Sequence, residues 1–155
     1  GFDFRLGGKL PGLTSGGNTF TGGIHPDNGE GWSTRYMWIE NGEIIIYFYH
    51  MDMKHQWGDA VKMNVTFNTG QWYNIKQRIK LNNADKFNGI METWVDGKKV
   101  INDNKVRYRL EPLGEIDTFY FSTFHGGNTK DWAPKYDSYI YFDNFKVTTP
   151  IKKKD

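Results

Sequence analysis

Apolar and polar residues alternate along much of this 155-residue chain with a period of two, the spacing that sends successive side chains to opposite faces of a β-strand. Strand-like stretches cover Phe2–Leu6, Trp32–Ile39, Glu43–His50, Val61–Phe67, Trp72–Leu81, Gly89–Val95, Lys98–Ile101, Val106–Leu110, Thr118–Phe124 and Tyr139–Thr148. A Gly/Ser/Asn/Thr-rich loop runs to about Glu30, and a polar loop covers Met51–Ala60. Asn41-Gly42 and Asp96-Gly97 are hairpin signals, and no helical period persists beyond a few residues. Short strands separated by turns predict an all-β, antiparallel β-jelly roll or β-sandwich. There is no internal repeat and no linker, so residues 1–150 are expected to form one domain, followed by a basic tail at 151–155.

The Asn41-Gly42 hairpin carries face information. Thr34, Tyr36 and Trp38 share one face of the first strand, and Ser33, Arg35, Met37 and Ile39 share the other. On the second strand Ile44, Ile46 and Phe48 oppose Glu43, Ile45, Tyr47 and Tyr49. Pairing the apolar faces brings Ser33 and Arg35 onto one surface with Tyr47 and Tyr49. A plain two-residue loop would instead pair Arg35 with Phe48, so a three-residue loop or a bulge is predicted. In Trp72–Leu81, Tyr73, Ile75, Ile79 and Leu81 form the buried set, and Asn74, Lys76, Arg78 and Lys80 form a basic stripe. The stripe is either a solvated outer face or a means of drawing an acidic chain into the Arg35 cleft.

Composition narrows the field. Aromatic residues make up 17% of the chain and 18 residues are glycine, which suits pleated surfaces and many turns. With 20 basic against 18 acidic residues the chain is not a general polyanion binder, and no nucleic-acid partner is expected. Lys152-Lys153-Lys154 reads as a solvated terminus. The absence of cysteine excludes disulfides, thiol catalysis and thiolate metal sites. No apolar run approaches the ~20 residues of a membrane span, so no membrane association is expected. The chain begins at Gly1, which fits a mature or trimmed form.

Other chemistry is weakly signalled. His25, His50, His55 and His125 lack metal-ligand spacing, as do Asp131, Asp137 and Asp143, so no metal or cofactor is predicted. His125, at a strand end before Gly126-Gly127, is a candidate substrate contact. Glu92 and Asp96 lie on one strand with nothing to tune them apart as a glycosidase pair. Trp32, Trp57, Trp94 and Trp132 are candidates for sugar stacking, with core packing the default for any one of them. Asn64-Val65-Thr66 is a glycosylation sequon.

The string Gly7-Gly8-Lys9-Leu10-Pro11-Gly12-Leu13 resembles a marker of polysaccharide lyase family 14 and the related glucuronan lyases of family 20. The resemblance continues through Ser33-Thr34-Arg35, Tyr47-Phe48-Tyr49, Phe121–Gly127 and Tyr141–Phe145, nearly the whole chain. It implies a functional lysine at Lys9, a Ser-x-Arg at Ser33 and Arg35, and a Tyr-x-Tyr at Tyr47 and Tyr49. Family domains carry further strands before the Gly-Gly-Lys motif, so the expected sandwich lacks those N-terminal strands.

The implied reaction is metal-independent β-elimination on a polyuronate, alginate (polymannuronate) or glucuronan. A base takes the C5 proton beside the carboxylate, and the C4–O bond breaks. Such a reaction needs a cation or donor on the carboxylate, a base at C5 and an acid at O4. Arg35 suits the carboxylate, aided by Ser33 and Lys9, and Tyr47 and Tyr49 supply base and acid. Tyr49 is the favoured base, with the reverse order or Lys9 as alternatives. Lys76, Arg78 and His125 complete the candidate substrate contacts. The resemblance further implies a secreted, monomeric enzyme acting on an acidic polysaccharide. The alternative is a non-catalytic carbohydrate-binding module or lectin on the same fold.

Overall fold

Strand pairing begins at the hairpin. In the computed structural model, which describes residues 8–14, 31–54, 57–110, 113–126, 129–134 and 136–149, strands β2 (Ser33–Trp38) and β3 (Glu43–Tyr49) pair antiparallel. The loop between them is the 3-10 turn Glu40–Gly42, closed by the Ile39 N–H donating to the Glu43 carbonyl at 2.8 Å. Asn41 and Gly42 take positive φ values of 61° and 75°, which Asn and Gly tolerate best. The three-residue loop sets the register Trp38↔Ile44, Tyr36↔Ile46, Arg35↔Tyr47 and Ser33↔Tyr49, keeping apolar with apolar.

Sheet A is completed by β1 (Gly8–Thr14), β4 (Asp59–Thr66), β8 (Thr118–Tyr120) and β9 (Phe124–His125), in the order β4-β3-β2-β1-β8 with β9 also on β1. Sheet B has the order β5-β6-β7, built from Ile75–Lys80, Gly89–Val95 and Lys98–Val106. Both sheets are antiparallel, and no α-helix occurs among the described residues. Tyr36, Trp38, Ile44, Ile46 and Phe48 from sheet A and Met91, Val95 and Ile101 from sheet B share one core. Each of the fully buried isoleucines contributes roughly 1.5–3 kcal/mol. Polar pins cross the interface: the Tyr36 and Thr93 hydroxyls lie 3.1 Å apart, and Gln77 Nε2 donates to the Thr34 carbonyl at 2.9 Å. The expected antiparallel β-sandwich is therefore present.

Three expected strands come out differently. Val106 closes β7, but residues 107–110 leave the ladder because Asn82 Oδ1 accepts from the Tyr108 and Arg109 N–H groups at 2.9 and 3.2 Å. Thr118–Phe124 splits into β8 and β9. Their common partner β1 shifts register between Lys9 and Gly12, a stretch that includes Pro11 with no N–H to give a ladder. The described part of Tyr139–Thr148 joins no ladder. Instead Phe142 and Phe145 pack against Phe121 at 5.1 and 5.2 Å, while Tyr139 and Tyr141 remain exposed. The expected strand Phe2–Leu6, most of the loop before Glu30, His25, His55 and the 151–155 tail lie outside the described residues.

Candidate active site

The two faces of sheet A differ in chemistry. Thr34 and Tyr36 reach sheet B, so Ser33, Arg35, Tyr47 and Tyr49 occupy the opposite face. The register makes Arg35↔Tyr47 and Ser33↔Tyr49 direct cross-strand neighbours. The tyrosine rings meet edge to face at 5.2 Å, with their hydroxyls 3.3 Å apart. Gly58 allows Tyr49 to sit where it does, since a Cβ there would lie 2.7 Å from the Tyr49 ring.

Arg35 is only 1% exposed, and its Nε and Nη1, like Ser33 Oγ, have no hydrogen-bond partner among the described residues. Buried guanidinium N–H groups without an acceptor are costly, and an anion that reached them would recover the lost interaction. Burial pushes the Arg35 pKa down, opposed by the negative forms of Tyr120, Tyr49 and Tyr47. Burial also pushes the Tyr47 phenol well above its ordinary value, reinforced by the Tyr49 hydroxyl and opposed by a Gly58 backbone contact and by Arg35. Tyr47 is thus held protonated, the state of a proton donor.

Tyr120 belongs to this cluster although nothing in the strand pattern singled it out. Gly12 of β1 pairs with Arg35 on one side and with Tyr120 on the other. Lacking a side chain, Gly12 lets the Arg35 guanidinium approach within 5.4 Å of the Tyr120 ring centroid. The available signal was a glycine in a strand interior, which marks close approach.

The remaining candidates are distributed elsewhere. Lys9 lies in β1 opposite Met37, two positions from Arg35 on the same strand, and its side chain lies outside the described part. Lys76 and Arg78 do not share the sheet face that carries Arg35. Met91 and Val95 of β6 point into the core, so Glu92 and Trp94 point out of sheet B. Arg78 binds Glu92 at 2.6 Å and Lys76 lies 4.6 Å from the Trp94 ring, on the far side of the sandwich from Arg35. His125 also faces away, because it pairs with Gly8 and its ring sits edge-on to Trp38, 5.6 Å away across that glycine. Trp32 is core, fully buried with its Nε1 donating to the Gly114 carbonyl at 2.8 Å. His50 pairs with Asp59 at 2.9 Å and stacks on Phe48, and no cluster of metal-ligating side chains occurs among the described residues.

Comparison with known proteins places the chain and its fold in a family. The family model described as Polysaccharide lyase 14 matches residues 1–145. Among solved structures, alginate lyase Aly36B superposes with a TM-score of 0.72 at 28% identity, covering 84% of this chain and 57% of that one. The PL-14 alginate lyase from Aplysia kurodai gives 0.68 at 26% identity, with coverage of 85% and 59%. Alginate lyase vAL-1 from Chlorella virus gives 0.66 at 27%, with coverage of 81% and 57%. The chain therefore spans less than three-fifths of the length of these neighbours. No curated protein matches it.

Proposed function

The chain belongs to polysaccharide lyase family 14, and on that premise we propose that it cleaves an alginate-type polyuronate by β-elimination. The observation that carries this reading is the buried Arg35 whose Nε and Nη1 lack acceptors among the described residues, set beside Tyr47, Tyr49 and Tyr120. A uronate carboxylate supplies an acceptor to one of these charged N–H groups, with Ser33 Oγ as a further donor. Neutralising that carboxylate makes the C5 proton removable, because the charge that develops on it is met by a fixed cation. A mutant of Aly36B is known in complex with alginate trisaccharide, an acidic chain of this kind.

The proton movements follow from the two tyrosines. The base takes the proton from C5, the electron pair forms the C4–C5 double bond, and the C4–O4 bond breaks. O4 then needs a proton. Tyr47, held protonated, is suited to give it. We assign the base to Tyr49, which contacts the Tyr47 hydroxyl and lies beside Arg35, and Lys9 is the second candidate. Because Arg35 carries the charge neutralisation, a chelator is expected to leave turnover unchanged. Action outside the cell is part of the same reading, since a polyuronate is too large to cross a membrane unaided.

The test is single-turnover cleavage by the full chain carrying Tyr49→Phe, Tyr47→Phe or Lys9→Ala. Loss of at least about a hundredfold in rate with Tyr49→Phe, the usual scale for a general base, supports the assignment. Full activity of Tyr49→Phe with loss in Lys9→Ala would transfer the base to lysine. Full activity of both Tyr49→Phe and Tyr47→Phe would refute tyrosine-assisted elimination.

A further inference from the structure

The outer face of sheet B carries a second arrangement of cations, apart from the Arg35 cluster. Its side chains form rungs across β5, β6 and β7. Lys76, Trp94 and Lys99 make one, and Arg78, Glu92 and Asn102 make the next. Lys80 continues the line opposite Ile90. Lys76 Nζ and Lys99 Nζ lie 4.6 and 4.9 Å from the half-buried Trp94 ring. Glu92 accepts from Lys99 at 2.5 Å and from Arg78 at 2.6 Å, which holds its carboxyl below the usual range. Lys76 and Lys80 are exposed and form no ion pair among the described residues.

We propose that this Lys76–Trp94–Lys99 face, with Arg78 and Lys80, is a second binding site for acidic polysaccharide, on the opposite side of the sandwich from the Arg35 cluster. The identity of the ligand as a polyuronate rests on the reading of the Arg35 cluster given above. Same-face side chains on β5 recur about every 6.6–6.8 Å, so Lys76, Arg78 and Lys80 offer a row of positive charge to a polymer with repeating carboxylates. Trp94 adds an apolar ring at the centre of the row, the element that distinguishes a sugar surface from a merely charged one. Charged side chains on an edge strand also guard against strand addition. That role covers Lys76 and Lys80 on β5 and Lys99 on β7, the two edge strands of sheet B, but it does not explain Trp94 on the central strand between them. Holding one stretch of polymer here keeps the same molecule near the Arg35 cluster after each cut, raising the effective substrate concentration.

Retardation of the full chain in native gels containing polymannuronate, at low salt, tests the proposal. Arg78 still pairs with the buried Glu92 when Lys99 is removed, so Lys76→Ala/Lys99→Ala is expected to stay folded, with a small fall in melting temperature from the lost Lys99–Glu92 pair. Its retardation should weaken roughly fivefold, the scale of two exposed charge contacts, and Trp94→Phe should weaken it less. The ratio of kcat/KM on polymer to that on trisaccharide should fall by a similar factor. Unchanged retardation in Lys76→Ala/Lys99→Ala would overturn the site, as would equal retardation of wild type by polyglutamate, in which Trp94 has no sugar to meet. Tyr49→Phe separates this inference from the lyase reading. If wild type cleaves no polyuronate, yet Tyr49→Phe binds as wild type does and the lysine pair variant does not, the surface site stands alone.

Discussion

Gly12→Ala is the smallest change that should disturb the Arg35 cluster. A Cβ at Gly12 would sit 2.5 Å from the Thr34 carbonyl oxygen, 2.7 Å from Arg35 Cα and 3.1 Å from Thr34 carbonyl carbon. All three atoms are backbone, so no rotamer change relieves the overlap and β1 must move away from β2. Overpacking of this kind costs about 1–3 kcal/mol, and the smaller unfolded-state entropy of alanine returns roughly 0.4–1 kcal/mol. A net loss of roughly 1–2 kcal/mol lowers Tm by about 2–8 °C in a chain of this size. The effect on chemistry should be larger. The displaced atom is Arg35 Cα itself, and Gly12 also separates Arg35 from Tyr120. A misplacement approaching 1 Å costs on the order of a hundredfold in rate, so kcat/KM on polyuronate should fall at least tenfold. Thermal unfolding by circular dichroism and initial rates of double-bond formation measure the two effects on one preparation. A Gly12→Ala protein with wild-type Tm and wild-type kcat/KM would refute the claim that this close approach positions Arg35.

Three further outcomes follow from the packing. Tyr120→Leu removes the ring beneath the Arg35 guanidinium and should raise KM about threefold to thirtyfold, whereas Tyr120→Phe keeps the ring and should stay near wild type; equal effects would dissociate the ring from the role. Asn82→Ala leaves the buried Tyr108 and Arg109 N–H groups without their acceptor and should cost roughly 2–4 kcal/mol, read from denaturant midpoints. Stability should fall in alkali. Burial raises the pKa of Tyr36 and of Tyr108. The unfolded chain therefore releases protons near pH 10 while the folded chain keeps them. This stabilising effect is complete below pH ~10 and is lost as pH rises toward the folded values, at up to about 3 kcal/mol per pH unit for the pair. A Tm unchanged between about pH 9 and pH 11 would contradict that sign.

How much of the site was legible depended on whether local parity or tertiary pairing decided the position. Ser33, Arg35, Tyr47 and Tyr49 lie on adjacent strands of one hairpin, and the need to match Tyr36 and Trp38 with Ile44 and Ile46 settled both the three-residue loop and the shared face. Lys76 and Arg78 show the limit of the same argument. Period-two alternation says which side of its own sheet a residue takes, but not which sheet the strand joins, and β5 joined the sheet on the far side. His125 turned inward because the ladder partner of β8 and β9 shifts register between Lys9 and Gly12, a break that no alternation in Thr118–Phe124 signals. Tyr120 meets Arg35 only through β1, by a pairing between segments far apart in the chain. Tyr139–Thr148 alternates well, yet Phe142 and Phe145 pack on Phe119 and Phe121 without the segment entering a ladder.

The central claim is that Arg35, Tyr47 and Tyr49 form a site for β-elimination of uronates. Its most direct test is the ultraviolet absorbance of the new conjugated double bond, followed with the full chain on polymannuronate, polyguluronate and glucuronan in parallel. The account predicts a rise on at least one of these polymers, insensitive to chelator and lost with Tyr49→Phe. Binding to all three with no absorbance change on any would contradict it and identify the protein as a non-catalytic polysaccharide binder.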